Sequence, residues 1–233
     1  MKLSLTAWLL FLSVGLHATH YMGVDISYEC IGPCTYRVLH KTYYDCTGAA
    51  MGGSVPVNFS PPPPAPSGAD FQFIANGGCT PPTAVGGWQF VSFTEVTPIC
   101  PSLLNPPPGT LYPTGCNGNP LNPNPPINGV AEAVYYRDYN FCGLNCSQYT
   151  ISWYACCRNS SIDSGAADEG IYTGQTVINL NIAPCNNSPE FVNPPVPYIC
   201  AGQLFTFNQG ALDPDGDSLS YELGNCFDAA GTP

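Results

Sequence analysis

Three carboxylates fall within five residues at Asp213, Asp215 and Asp217, in the run Asp213-Pro214-Asp215-Gly216-Asp217-Ser218, and the whole 233-residue chain holds only 16 acids. Left bare, such a cluster repels itself. It is relieved either by water or by a hard cation held through oxygen, for which calcium is the usual occupant. An EF-hand is excluded, because that loop needs Gly at its sixth position and Glu at its twelfth. Counted from Asp213, those places hold Ser218 and Gly224. Asp213, Asp215 and Asp217 are therefore the candidate metal ligands and calcium the candidate cofactor, with a solvated acidic turn as the alternative.

Other reactive constellations are thin. A Cys/His nucleophile pair needs a free thiol beside His20 or His40, and the 13 cysteines read better as bridged. Paired carboxylates for glycoside chemistry could come from Glu95, Glu132, Asp138 or Asp163, but no spacing selects a pair. No catalytic residue is expected. Arg158 beside Cys157 reads as a capping or ion-pairing residue rather than an anion site. The rings Tyr28, Tyr36, Tyr43, Tyr44, Trp88, Tyr135, Tyr136, Tyr149 and Trp153 could meet a sugar or protein surface; the competing assignment is that they fill a core.

Charge and cysteine usage restrict the setting. Net charge is −11 and charged residues make up 9% of the chain, against about 25% in ordinary soluble domains. Basic clusters of the kind that bind phosphate backbones are missing, so nucleic acid is not an expected partner. The cysteine gaps are irregular and match no zinc ribbon, which leaves disulfides and an oxidising compartment. Lys2, the apolar run from Leu3 to Leu16, and a small residue at Ala18 read as an export signal over residues 1–18. No later run is long enough to span a membrane.

The elements that would position these residues are strands. With 26 Pro and 24 Gly, the chain is a poor helix former, and its apolar residues alternate. Val24, Ile26 and Tyr28 share one face of a strand that turns at Ile31-Gly32-Pro33-Cys34 and returns through Tyr36 to Tyr43. A bridge between Cys30 and Cys46 across the ends of that hairpin is compatible with its geometry. The four prolines before Ala65 make a stiff loop or edge segment. Further strands are expected at Asp70–Ala75, Trp88–Val96, Val130–Asp138, Gln148–Cys156, where Tyr149, Ile151 and Trp153 form the core side, and Thr173–Ile182. Between Pro98 and Asn128 lies a Pro/Asn/Gly excursion, stapled by disulfide or flexible. Vicinal Cys156 and Cys157 face opposite sides of a strand and suit different partners. A junction follows Cys185, and the 48 residues from Asn186 to Pro233 fall short of the ~100 of a sandwich module. The expected fold is all-β: a disulfide-rich β-sandwich-type domain over 19–185, then an incomplete cadherin-like or Ig-like β domain over 186–233.

Three stretches together resemble a known family. They are the opening strand pair from Thr19 to Cys46, the run Ile151-Ser152-Trp153-Tyr154-Ala155-Cys156-Cys157-Arg158-Asn159, and Cys185-Asn186-Asn187-Ser188-Pro189-Glu190-Phe191 leading into the acidic loop. They are similar to the N-terminal region of large secreted surface proteins of Bacteroidota, labelled gliding-motility-associated or PKD-repeat proteins. The resemblance implies a long adhesin-like protein, exported by the type IX route and displayed at the bacterial cell surface. A C-terminal sorting domain, usual in that family, is not matched here. The segment from Asn186 also resembles the entry of a cadherin-like module. By that likeness Asp213, Asp215 and Asp217 would hold calcium, with Asn186 or Asn187 at the joint. The expectation is a non-enzymatic extracellular adhesion or structural module that meets a glycan or protein surface. A passive stalk or spacer and, behind it, a secreted hydrolase are the alternatives.

Overall fold

The computed structural model describes residues 21–46, 65–66, 71–74, 78–99, 107–108, 113–117, 127–156, 171–181, 184–194, 202, 204 and 206–224. The export signal, the four-proline run, and Cys100, Cys157, Arg158 and Cys226 lie outside them. Among the described residues nine strands follow one another: β1 (Tyr21–Gly32), β2 (Thr35–Asp45), β3 (Phe71–Ile74), β4 (Thr83–Glu95), β5 (Val130–Asn140), β6 (Gln148–Cys156), β7 (Ile171–Asn179), β8 (Glu190–Phe191) and β9 (Ala211–Leu212). The all-β expectation is met.

Every strand pair is antiparallel, and the strands form a sheet of order β1-β2-β5-β4, a second of order β3-β6-β7, and a two-stranded pair β8-β9. The 1-2-5-4 and 3-6-7 orders are those of a constant-type immunoglobulin sandwich, in which strands ABED face strands CFG. That order belongs to residues 21–179, whereas the sequence reading placed its Ig-like resemblance after Cys185.

Alternation explains which faces meet. Val24, Ile26 and Tyr28 stand opposite Thr42, His40 and Val38 of β2, so one period-2 stripe from each strand lies inward. Opposing them, the buried Tyr149, Ile151 and Trp153 of β6 and Ile178 of β7 complete one apolar core between the sheets. The candidate binding rings are mostly here: Tyr28, Tyr36, Tyr149 and Trp153 are buried in this core, and Tyr44 and Tyr135 in a neighbouring one. Packing claims them before any ligand could.

Where antibody domains carry a disulfide between strands B and F, this chain places His40 of β2 against Trp153 of β6, ring centroids 4.7 Å apart. Trp88 and Phe71 close the other sides of the imidazole at 6.1 and 6.4 Å. Among the described residues the bridges lie instead at the ends of the sandwich. They join Cys30 to Cys185, Cys34 to Cys142, Cys46 to Cys116 and Cys79 to Cys146, with Cα separations of 4.7–5.7 Å.

The Cys30–Cys46 pairing is thereby corrected. Cys30 sits opposite Tyr36 beside the hairpin turn, while Cys46 follows Asp45 at the open end of the same hairpin. The two are a strand length apart. Cys46 reaches the short 3-10 turn Gly115–Asn117 instead, so the Pro/Asn/Gly excursion is stapled, as one of its two readings held. Gly129 makes that staple fit: its φ is 82°, and a Cβ there would stand 2.6 Å from Cys116 Sγ.

Candidate functional site: the acidic loop and its junction with the sandwich

Asp213-Pro214-Asp215-Gly216 forms a tight turn in which Gly216 N–H donates to the Asp213 carbonyl at 3.2 Å. Pro214 fixes its own φ, and Gly216 adopts φ 81°, a left-handed conformation that costs glycine little. Asp213 Oδ1 accepts from the backbone N–H of Asp215 at 2.9 Å and of Asp217 at 3.2 Å. That carboxylate thus folds its own loop, an Asx turn extended by one more donor.

Asp215 points elsewhere, toward the segment that leaves the sandwich. Its Oδ2 accepts from Asn187 N–H at 2.7 Å and its Oδ1 from Asn187 Nδ2 at 3.0 Å. Asn187 Oδ1 in turn accepts from Cys30 N–H of β1 at 2.8 Å. One amide side chain therefore links the first sheet to the acidic loop. The sequence reading named Asn187 as a junction residue; the structure makes its partners Asp215 and a β1 amide.

The neighbouring residues reinforce the joint. Tyr28 N–H donates to Ser188 Oγ at 2.8 Å, and Ser188 N–H donates back to the Tyr28 carbonyl at 2.9 Å. Cys185 N–H donates to Tyr36 Oη at 2.8 Å while its sulfur bridges Cys30. Tyr28 Oη donates to the Val177 carbonyl of β7 at 3.2 Å. Burial, with Asp213 and Asp215 nearby, raises the Tyr28 phenol above its ordinary value, opposed by a hydrogen bond from Asn186. It stays a neutral donor. Sequence reasoning missed Ser188, Tyr28 and Tyr36 in this role, because nothing in a Tyr on an alternating strand marks which hydroxyl a distant amide will meet.

Asp213, Asp215 and Asp217 thus share one loop, but Asp213 and Asp215 already accept four N–H donors between them. Among the described residues, no three His, Cys, Asp or Glu side chains gather as a metal-binding group. A cation here would compete with hydrogen bonds that already hold the turn.

Charged side chains also pair across the first sheet. Glu29, Arg37 and Asp138 stand in direct register on β1, β2 and β5. Arg37 donates from Nε and Nη2 to the two Asp138 oxygens at 2.8 and 3.1 Å, lies 3.6 Å from Glu29, and covers the Tyr136 ring. Lys41 approaches Asp25 at 4.0 Å; burial raises the Asp25 carboxyl, and Lys41 opposes that rise. Arg137 Nε donates to the Gly86 carbonyl at 2.8 Å. The three described arginine and lysine side chains each have a partner, so none forms a basic patch. Beside the Cys79–Cys146 bridge, a groove of about 340 Å³ is lined by Ile74, Asn145, Ser147, Gln148 and Thr150, all uncharged.

The disulfides are those of a chain matured in an oxidising compartment. Among the described residues no helix is long and apolar enough to cross a membrane. No family model, curated protein or solved structure matches this chain.

Proposed function

We propose that this chain is a non-enzymatic extracellular module of a larger bacterial cell-surface protein, an adhesion or structural unit whose exit segment is locked to its body. The observation that carries the reading is the joint. Cys30–Cys185 is covalent, Asn187 bonds both Cys30 N–H and Asp215, and Ser188 pairs with Tyr28. A segment tied in this way transmits force and direction to whatever follows it. Aromatic rings committed to the core, and a groove lined by uncharged hydrogen-bonding side chains, fit a structural or neutral-ligand role better than acid–base chemistry.

The reading is tested on producing cells that carry the full-length protein with Cys30→Ser, Cys185→Ser and Asn187→Ala. Attachment should persist at rest and fail under flow. Cells lacking the protein altogether that attach and spread like wild type would sink the adhesion reading. A glycan array without hits, beside unchanged rigidity in scattering, favours the passive spacer.

Calcium at Asp213, Asp215 and Asp217 is a separate proposal. It rests on the density of carboxylates in an oxygen-rich turn and requires the ion to displace or share the N–H donors of Asp213 and Asp215. Melting temperatures measured in calcium and in chelator decide it: equal values leave the hydrogen-bonded turn as the whole account.

A further inference from the structure

Asp25 of β1 and Lys41 of β2 stand directly opposite each other, and Glu132 of β5 stands opposite Tyr43, one side-chain step along the same face of the sheet. By alternation that face is the one turned from the His40 core. It is covered all the same. Ser27, Tyr43, Val130 and Val134 on it are buried, and the Lys41 and Asp25 side chains are only 20% and 16% exposed.

Lys41 Nζ lies 4.0 Å from Asp25 Oδ2, longer than the ~2.7–2.9 Å of a direct charge-assisted hydrogen bond. Amine and carboxyl are adjacent without being locked as an ion pair. Burial raises the Asp25 carboxyl, Lys41 opposes the rise, and Glu190 and Glu132 add to it. The acid form thereby favoured is the one an amine can attack. Glu132 sits diagonal to Lys41 across β2 and β5, a separation that long side chains span. Burial and Glu132 raise the Tyr43 phenol, which stays a neutral hydrogen-bonding partner of Glu132. Ser27, the next residue on the Asp25 side of β1, has a buried hydroxyl with no hydrogen-bond partner among the described residues. A buried donor left unpaired calls for an acceptor.

We propose that Lys41 and Asp25 condense into an intramolecular amide that ties β1 to β2, with Glu132 carrying the protons. Glu132 passes one ammonium proton from Lys41 to Asp25, leaving a neutral amine beside a neutral carboxyl. Nζ then attacks Cγ. A second amine proton travels through Glu132 to the hydroxyl, the Nζ–Cγ bond forms, the Cγ–Oδ bond breaks, and one water leaves. Ammonium and carboxylate have become amide and water, with no oxidant, reductant or activated donor consumed, and Glu132 is again a carboxylate. Ser27 Oγ donates to the oxygen that Asp25 keeps. Fixing both groups on paired strands replaces a bimolecular encounter, worth effective molarities of about 10⁵–10⁸ M when alignment is good. Unlike the disulfides, such a tie survives reduction.

Mass spectrometry of the reduced, denatured full chain tests this. Tryptic mapping of the wild type should give a branched peptide in which Lys41 is uncut and joined to the peptide holding Asp25, one water lighter than the two summed. Lys41→Met and Asp25→Ala should lack it. Glu132→Gln, which keeps the shape and loses the proton carrier, should give the two peptides unlinked, with the four disulfides still mapped before reduction to show that the fold is retained. Separate Asp25 and Lys41 peptides from the wild type overturn the proposal. A branched peptide that persists in Asp25→Ala overturns Asp25 as the acyl group, and one formed as fully in Glu132→Gln as in wild type overturns Glu132 as the carrier.

Discussion

Asn187 Nδ2 donates to Asp215 Oδ1 at 3.0 Å while its own Oδ1, on the same amide, accepts from Cys30 N–H at 2.8 Å. The side chain is a two-ended clip between β1 and the acidic loop. Removing it strips Cys30 N–H of its acceptor in a partly buried place. Asn187→Ala should destabilise by about 1–2 kcal/mol, the cost of losing such bonds. Asp215→Asn should cost less, because its bonds face solvent and one acceptor oxygen remains. Amide exchange at Cys30 reads the difference: it should accelerate in Asn187→Ala and stay slow in Asp215→Asn. Equal exchange in wild type and Asn187→Ala would remove the clip from the account.

The Cys30–Cys185 bridge closes 155 residues, the longest of the four separations. Constraining the unfolded chain makes a bridge of that span worth roughly 2–5 kcal/mol, and this one also holds the joint. The pair Cys30→Ser and Cys185→Ser should therefore lower the denaturation midpoint and lengthen the particle in small-angle scattering. The pair Cys79→Ser and Cys146→Ser, closing 67 residues, should lower the midpoint without lengthening it. Non-reducing peptide mapping must first recover both linkages. A Cys30–Cys46 peptide in that map would contradict the pairing.

Gly174 on β7 is needed for contact, not for backbone freedom. A Cβ there would lie 2.5 Å from Val24 Cγ1, too close for two carbons, so Gly174→Ala should push β1 from β7 at a cost of about 1–3 kcal/mol. Val24→Ala opens the space. The double variant should recover most of the loss, and a cycle whose two effects simply add would show that the strands do not meet there.

How much of this was legible depended on whether the signal was local. The alternation of Tyr149, Ile151 and Trp153 gave β6 from Gln148 to Cys156 with its buried side, and the Val24, Ile26, Tyr28 stripe gave the inner face of β1. Boundaries drifted where alternation was broken: β4 begins at Thr83 rather than Trp88 because the Gly86-Gly87 bulge interrupts its period without ending its pairing. The aromatic set could not be divided into core and surface, since strand phase was known but the sheet opposite was not. Disulfide partners were hidden for the same reason: Cys30 and Cys185 meet through a junction 155 residues away. For the acidic loop, Asp213-Pro214-Asp215-Gly216 announced a turn, but that Asp215 would bond Asn187 depended on how the chain leaves the sandwich.

His40 entered the sequence reading only as a possible partner of a free thiol, not as the residue at the centre of the core. Burial among Phe71, Trp88 and Trp153 lowers its imidazole from 6.5 to about 3. A hydroxyl, Thr42 Oγ1, lies 3.0 Å from its Nδ1, and burial is the leading cause of the shift. The unfolded chain therefore binds a proton below about 6.5 that the folded chain refuses until about pH 3. Stability from this group is complete above pH 6.5 and falls as pH drops toward 3, with a limiting slope of about 1.4 kcal/mol per pH unit. Between pH 6.5 and 5 ordinary carboxylates, with pKa near 4, add little slope of their own. Urea midpoints over that interval should fall for wild type and stay nearly level for His40→Phe, which keeps a ring in the cage and has no proton to bind. The slope, not the absolute stability, is the measure, because a phenyl ring is larger than an imidazole and packs differently. An equal slope in both proteins would mean that the acid sensitivity lies in other groups and that the imidazole is not held neutral by its cage.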